Sequence, residues 1–282
     1  MIFTLLISLF FINITRAVDV KSSTVYSQHP IIFVHGWTGD ASVWTNMRYS
    51  FYYDGWPFEI LRPFTFYNSS DYSADGNMQN AEMIRDEVDT ILNQTGAEKV
   101  DIIAHSMGGL SSRYYIKFLG GLNKVDDFVS FGSPHHGVSG GTQVFQPNNT
   151  FLYNLNDGDE TPGGILNDTI GQRIDVIGGG IYNGTHIQGN INYTSIYSNG
   201  DTICVPIITS RIEGANNIEI DDVDHVGMLS DVSFYNLVKL AVYDDLSGNT
   251  TNNISIQGYN LFILLGFTSI LMIFIFKKQK FR

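Results

Sequence analysis

Residues 100–110 read VDIIAHSMGGL. Val100, Ile102, Ile103 and Ala104 form the short apolar run of a strand buried on both faces, and from Gly108 the pattern turns helical. Ser106 stands between the two. A nucleophile on a sharp strand-to-helix turn has strained backbone, and the residues two before and two after it must be small because strand and helix nearly touch there. Ala104 and Gly108 satisfy that demand. Small-x-Ser-x-Gly by itself is a common pattern, and here the strand before it and the helix after it turn it into a nucleophile elbow.

Working outward, apolar runs at 31–35, 128–131, 193–197 and 218–220 read as further strands of a sheet covered on both faces. Between the first strand and the elbow strand, Ala81, Ile84, Val88, Ile91 and Leu92 recur at helix spacing, and Gly96 is placed to end that helix. The elbow helix runs to Phe118, closed by Gly120 and Gly121, and a last helix spans about 230–242. Strand and helix alternating in this order predict an α/β fold, a doubly wound parallel sheet with helices on both faces. The stretch 133–190 breaks the pattern, being rich in Gly, Asn and Pro, and reads as a cap or a long surface insertion before the strand that carries the acid. No internal repeat and no metal-type Cys/His spacing is visible, so neither a metal nor a cofactor is expected.

An elbow serine needs an oxyanion hole, a base and an acid. Backbone N–H groups commonly supply the hole, one of them from the residue after the nucleophile, here Met107. The other is assigned to Trp37, in the His35-Gly36-Trp37 turn that follows the first strand. For the acid, the turn Asn199-Gly200-Asp201 presents a carboxylate at the C-terminal end of a strand, the edge where open parallel sheets hold their ligands. Asp201 is therefore the candidate, with Asp175, Asp221, Asp222 and Asp224 as rivals. His225 follows the next strand and precedes the last helix, where the order Ser, acid, His puts the base. His29, His105, His135 and His136 lie elsewhere.

These residues carry a resemblance. The segments 33–39, 99–110 and 191–229 are similar to the compact bacterial lipases of the Bacillus type, a minimal α/β-hydrolase family whose elbow also starts with Ala. The stretch Tyr193-Thr194-Ser195-Ile196-Tyr197-Ser198 and the run Asp224-His225-Val226-Gly227 tie the likeness to that family. It implies a triad of Ser106, Asp201 and His225, oxyanion donors at Trp37 and Met107, and cleavage of lipid or acyl esters. The likeness extends over about residues 30–242, and 133–190 is extra to it. A thioesterase, transacylase or lipid-anchor deacylase would use the same triad. A non-catalytic surface glycoprotein is the reading from a different class, and the presence of both Ser106 and His225 argues against it.

The two ends add a setting. Residues 1–17 carry an apolar run and small residues at the end, as a signal peptide does, although no basic side chain precedes the run. An uncleaved anchor is the competing reading. Residues 256–276 are almost wholly apolar and long enough to span a bilayer, with Lys277, Lys278, Lys280 and Arg282 directly after. The expected layout is a hydrolase domain over 18–246, a polar stalk at 247–255, the span at 256–276 and a cytosolic tail at 277–282. Lys278 and Lys280 also fit a K-x-K-x-x endoplasmic reticulum retrieval pattern. Without Arg16 and the tail cations, eleven basic residues face twenty-eight acidic ones. That balance argues against nucleic acid or an anionic membrane surface as partner. Acceptors of the Asn-x-Ser/Thr type, beginning at Asn68, Asn93, Asn148, Asn167, Asn183, Asn192, Asn249 and Asn253, fit a lumenal or extracellular, glycosylated face. Cys204 is the sole cysteine, so no disulfide forms within the chain, and a monomer is expected.

Overall fold

The computed structural model describes residues 27–165 and 189–243. The signal-peptide, stalk, span and tail expectations, at 1–17 and 247–282, lie outside the described residues. Among the described residues no helix is long and apolar enough to cross a membrane.

The elements run β1 (Ile31–Val34), α1 (Thr45–Tyr53), β2 (Leu61–Pro63), α2 (Ala74–Thr95), β3 (Val100–His105), α3 (Met107–Phe118), β4 (Val125–Phe131), α4 (Thr150–Asn156), β5 (Asn192–Ser198), β6 (Asn216–Ile220) and α5 (Val232–Ala241). The six strands form one sheet in the order β2-β1-β3-β4-β5-β6, and all pairs are parallel. Every residue of β1 and β3 is buried, as expected of strands covered on both faces. The period of two sends alternate side chains to opposite layers. Ile31 and Phe33 join Trp44, Phe51, Phe234 and Val238 in one core, whereas Ile32, Val34, Ile102 and Ala104 join Ala81, Ile84, Val88 and Tyr115 in the other. Each buried Val, Ile or Phe among them contributes roughly 1.5–3 kcal/mol.

The strand order reverses between β1 and β3. From β1 the chain moves outward to β2 at one edge, and from β3 it proceeds the other way to β4. The loops leaving the C-terminal ends of β1 and β3 therefore diverge, which opens a crevice between them.

The elements differ from the sequence expectation in three ways. β2 carries only Leu, Arg and Pro, too short to show alternation, and Pro63 is tolerated because this is an edge strand. α1 is rich in aromatic residues of modest helix propensity, and it forms because Met47 and Phe51, four apart, both enter the core. β6 is an edge strand of half-buried and exposed residues and is not covered on both faces.

The described part of the insertion, 133–165, is not a loose surface loop. Its helix α4, capped by the Asn149 side chain accepting the Leu152 N–H, places Phe151, Leu152 and Leu155 against Leu110 of α3. Arg113 Nη1 donates to Asn156 Oδ1 at 2.9 Å and Nη2 to the carbonyls of Leu155 and Glu160 at 3.2 and 3.1 Å. Lys117 Nζ donates to the carbonyls of Leu155, Asp157 and Asp159. Two cations of α3 thus hold the carbonyls at and beyond the C-terminal end of α4, where the helix dipole favours positive charge. Farther on, Ile165 N–H donates to Ile191 O and Ile191 N–H to Gly163 O, so the outgoing and returning chain run side by side.

Candidate active site

Ser106 has φ 55° and ψ −129° between β3 and α3, a left-handed conformation rare for a residue with a side chain. Its N–H donates to Phe131 O at 3.1 Å, and its carbonyl accepts Gly109 N–H at 3.0 Å, so both neighbouring elements hold the turn. The demand for small neighbours is explicit at Gly108, where a Cβ would lie 2.5 Å from His35 O and 2.6 Å from Val34 O. At Gly36 a Cβ would lie 2.7 Å from Ser106 Cβ, so the turn after β1 passes directly over the serine.

His225 Nε2 lies 3.0 Å from Ser106 Oγ, and its Nδ1 lies 2.8 Å from Asp201 Oδ2. The carboxylate accepts, so Nδ1 carries the proton and Nε2 is left to accept from the serine hydroxyl. The second oxygen of Asp201 accepts the N–H groups of Ile203 and Cys204 at 2.8 and 3.0 Å. Burial pushes the Asp201 carboxyl up, but the His225 ring and these N–H donors outweigh it and hold it below its ordinary value. Asp201 is therefore ionised at neutral pH.

The rival acids fall elsewhere. Asp221 accepts from the Asn199 amide, and Asp224 accepts the N–H groups of Val226 and Gly227 in the turn just after it. Asp175 lies outside the described residues. Of the other histidines, His29 faces Asp126, His135 bonds Ser130 and His136 pairs with Glu160.

Trp37 N–H and Met107 N–H have no hydrogen-bond acceptor among the described residues. Met107 is the first residue of α3, where the amide has no partner inside the helix. The turn that carries Trp37 is fixed by His35. Phe66 N–H donates to His35 Nε2 at 3.0 Å, so Nδ1 bears the proton and donates to Gly36 O at 2.8 Å. Burial lowers the His35 pKa, in keeping with a neutral ring.

His105 was only a member of the elbow in the sequence, and its partner was not legible there. Its Nε2–H donates to the carbonyl of His225 at 2.8 Å, and the two rings lie 4.7 Å apart. Burial first, and then the neighbouring His225, push His105 down to about 3. Gly132, after β4, is a second residue the motifs did not flag. Its φ is +54°, and a Cβ there would lie 2.9 Å from Met228 Sδ and 3.2 Å from His225 Nδ1.

Above Ser106 and His225 lies a cavity of about 480 Å³. Its lining comes from the turn after β1 (Gly36, Trp37), from the insertion (Pro134, Val138, Phe145) and from the loops bearing Asp201 and His225 (Ile203, Val226). The cavity is largely apolar, and Ser106, His105 and His225 are among the polar residues that line it. Among the described residues, two groups bring metal-type ligand atoms within 4.8 Å of one another: Asp201, Cys204 and His225, and His29, Asp101 and Asp126. In the first, Asp201 and His225 already bond each other. In the second, Lys99 Nζ already neutralises Asp126 at 2.5 Å.

Residues 28–142 match the family Lipase (class 2). A triacylglycerol lipase of Burkholderia plantarii is 31% identical over 127 residues, which are 43% of this chain and 33% of that protein. One of Pseudarthrobacter phenanthrenivorans is 30% identical over 117 residues, 39% of this chain and 34% of that protein. The chain thus spans about a third of the length of these relatives. Among solved structures, Aspergillus fumigatus lipase B superposes with a TM-score of 0.56 at 15% identity, covering 75% of this chain and 51% of that one. A mature Bacillus licheniformis lipase superposes with a TM-score of 0.50 at 18% identity, covering 77% and 93%. The fold is that of the α/β-hydrolases.

Proposed function

We propose that this chain, whose residues 28–142 match the class 2 lipases, is a serine carboxylic ester hydrolase with Ser106 as nucleophile, His225 as base and Asp201 as the orienting acid. The observation that carries the reading is the unbroken relay of 3.0 Å from Ser106 Oγ to His225 Nε2 and 2.8 Å from Nδ1 to Asp201. A hydroxyl at φ 55°, beneath an apolar cavity, has no evident structural use.

In the mechanism His225 takes the Ser106 proton as Oγ attacks the ester carbonyl, and Asp201 stabilises the imidazolium. The N–H groups of Trp37 and Met107 hold the oxyanion, a role supported by their lack of other acceptors. His225 then gives its proton to the leaving alcohol, and water, activated by the same histidine, releases the acyl group from Ser106. No metal or cofactor enters any step.

The substrate class is an acyl ester with an apolar chain, which suits the apolar cavity and the triacylglycerol lipases that the chain is similar to. Ser106→Ala is expected to lower hydrolysis of a short-chain ester by about 10⁴-fold or more without changing the melting temperature appreciably. A fluorophosphonate probe should label the wild type and not the variant. Ester turnover that survives in Ser106→Ala ends the assignment.

The setting belongs to the same reading. The apolar residues 256–276, the basic tail and the leading apolar run support a membrane tether with the hydrolase domain facing the lumen or the outside, and the Asn-x-Ser/Thr acceptors support a glycosylated face. Alkaline carbonate extraction of the full chain tests the tether, because an untethered protein leaves the membrane fraction.

A further inference from the structure

One wall of the cavity comes from the insertion, through Pro134, Val138 and Phe145. Phe145 closes a short 3-10 helix, Gln143–Phe145, three residues past the end of the match at 142. Its ring stacks on Tyr72, centroids 5.5 Å apart and planes 7° from parallel. Tyr72 in turn meets Trp37 edge-on at 5.3 Å, and the Trp37 indole N–H donates to Ser70 O at 2.9 Å. Phe145 and Trp37 both line the cavity that holds Ser106 and His225. Three rings therefore connect the turn over the nucleophile to the insertion.

That wall is fixed. Phe145 O accepts the N–H of Val138, another lining residue, at 2.8 Å. A Cβ at Gly141 would fall 2.1 Å from the same oxygen, so the loop closes this tightly only around glycine. At the neck of the loop, Ser139 N–H donates to Val205 O at 2.7 Å, and Gly137 O accepts the Thr209 hydroxyl. Beneath Phe145, Val144 and Leu152 pack with Leu110 of the elbow helix. A chain entering the cavity meets the Phe145 side chain, held by Tyr72 and by its own closed loop.

We propose that Phe145, backed by Tyr72, is a specificity-determining residue that limits the length of the apolar chain accepted in an ester cleaved at Ser106. The proposal rests on the ester hydrolysis proposed above and assigns the limit to the insertion. A ring in a packed wall excludes a chain by overlap, and each methylene gained or lost in such a pocket changes discrimination by roughly 10-fold or more.

The test is kcat/KM of the full chain against 4-nitrophenyl esters of increasing acyl length and, separately, against butyrate esters of alcohols of increasing length. The two series distinguish an acyl chain from an alcohol chain against the wall. Phe145→Ala is expected to raise the long-to-short ratio about tenfold in one series, and Phe145→Trp to lower it in that series. Phe145→Leu keeps apolar contact with the cluster beneath and should shift the ratio in the same direction as Ala by less, so a poorly folding Ala variant does not decide the matter. If folded variants that react with a fluorophosphonate keep the wild-type ratio in both series, the wall sets no limit and the proposal falls. If the wild type cleaves no ester of any length, it is the ester reading that fails.

Discussion

His105 Nε2–H donates to the main-chain carbonyl of His225 across 2.8 Å, so the residue before Ser106 holds the backbone of the residue that faces it. A neutral His105, kept so by burial, can supply that single donor without placing a second positive charge beside His225. Replacement by Leu removes the bond and lets the His225 ring drift. The expected loss in kcat/KM for a short ester is about 10- to 100-fold, and Gln, whose amide can donate from a similar distance, should recover much of it. Equal activity in the Leu variant and the wild type would show that the bond positions nothing.

Asp201→Asn leaves an oxygen to accept from Ile203 and Cys204, but turns an N–H₂ toward His225 Nδ1. The ring must then carry its proton on Nε2, facing Ser106, where it cannot accept. Activity is expected to fall about 10³- to 10⁴-fold at neutral pH with the fold retained. Steady-state kinetics beside a thermal melt reads both.

Three buried histidines, His35, His105 and His135, have pKa values lowered chiefly by burial. The unfolded chain takes up protons near the ordinary value of 6.5, whereas folded His105 does so only near 3. Its contribution is therefore complete above pH 6.5 and is lost progressively as pH falls toward 3. Urea unfolding between pH 7.5 and 4 should show declining stability, with a shallower slope in His105→Gln by up to about 1.4 kcal/mol per pH unit. Parallel slopes would contradict this origin.

Arg113 is buried, and its three hydrogen bonds run to Asn156, Leu155 and Glu160 of the insertion. Arg113→Ala strands those acceptors and is expected to destabilise by about 3–5 kcal/mol. Limited proteolysis should then cut within 143–165 before it cuts the sheet. Cleavage at the wild-type rate would mean that the apolar contacts of α4 suffice.

Two glycines provide a matched pair. A Cβ at Gly108 collides with the backbone oxygens of His35 and Val34, whereas one at Gly120 meets nothing within 4 Å and suffers only from φ +88°. Gly108→Ala is expected to cost about 2–3 kcal/mol or more, and Gly120→Ala about 1. Chemical denaturation of both ranks them, and the reverse order would remove the steric account of the elbow.

The buried strands were legible as short continuous apolar runs, and the long helices because their apolar residues repeat at a period of 3.6. The edge strand β2 and the aromatic helix α1 were not, since each is held by what it packs against and not by its own pattern. The stretch after residue 133 looked irregular for a related reason. Its order comes from Arg113 and Lys117 on another helix and from a small cluster shared with α3.

What the sequence by itself determined is the elbow. Ala104, Ser106 and Gly108 are neighbours along the chain, and the steric demand of a tight strand-to-helix turn acts within that reach. Only the tertiary structure decided which carboxylate, of several nearby, meets His225, and it brought His225 to Ser106 from 119 residues away and to Asp201 from 24. It also assembled His105 beneath His225 and Phe145 against Tyr72. Such contacts depend on where separate loops converge at the end of a sheet, and no local spacing encodes that convergence.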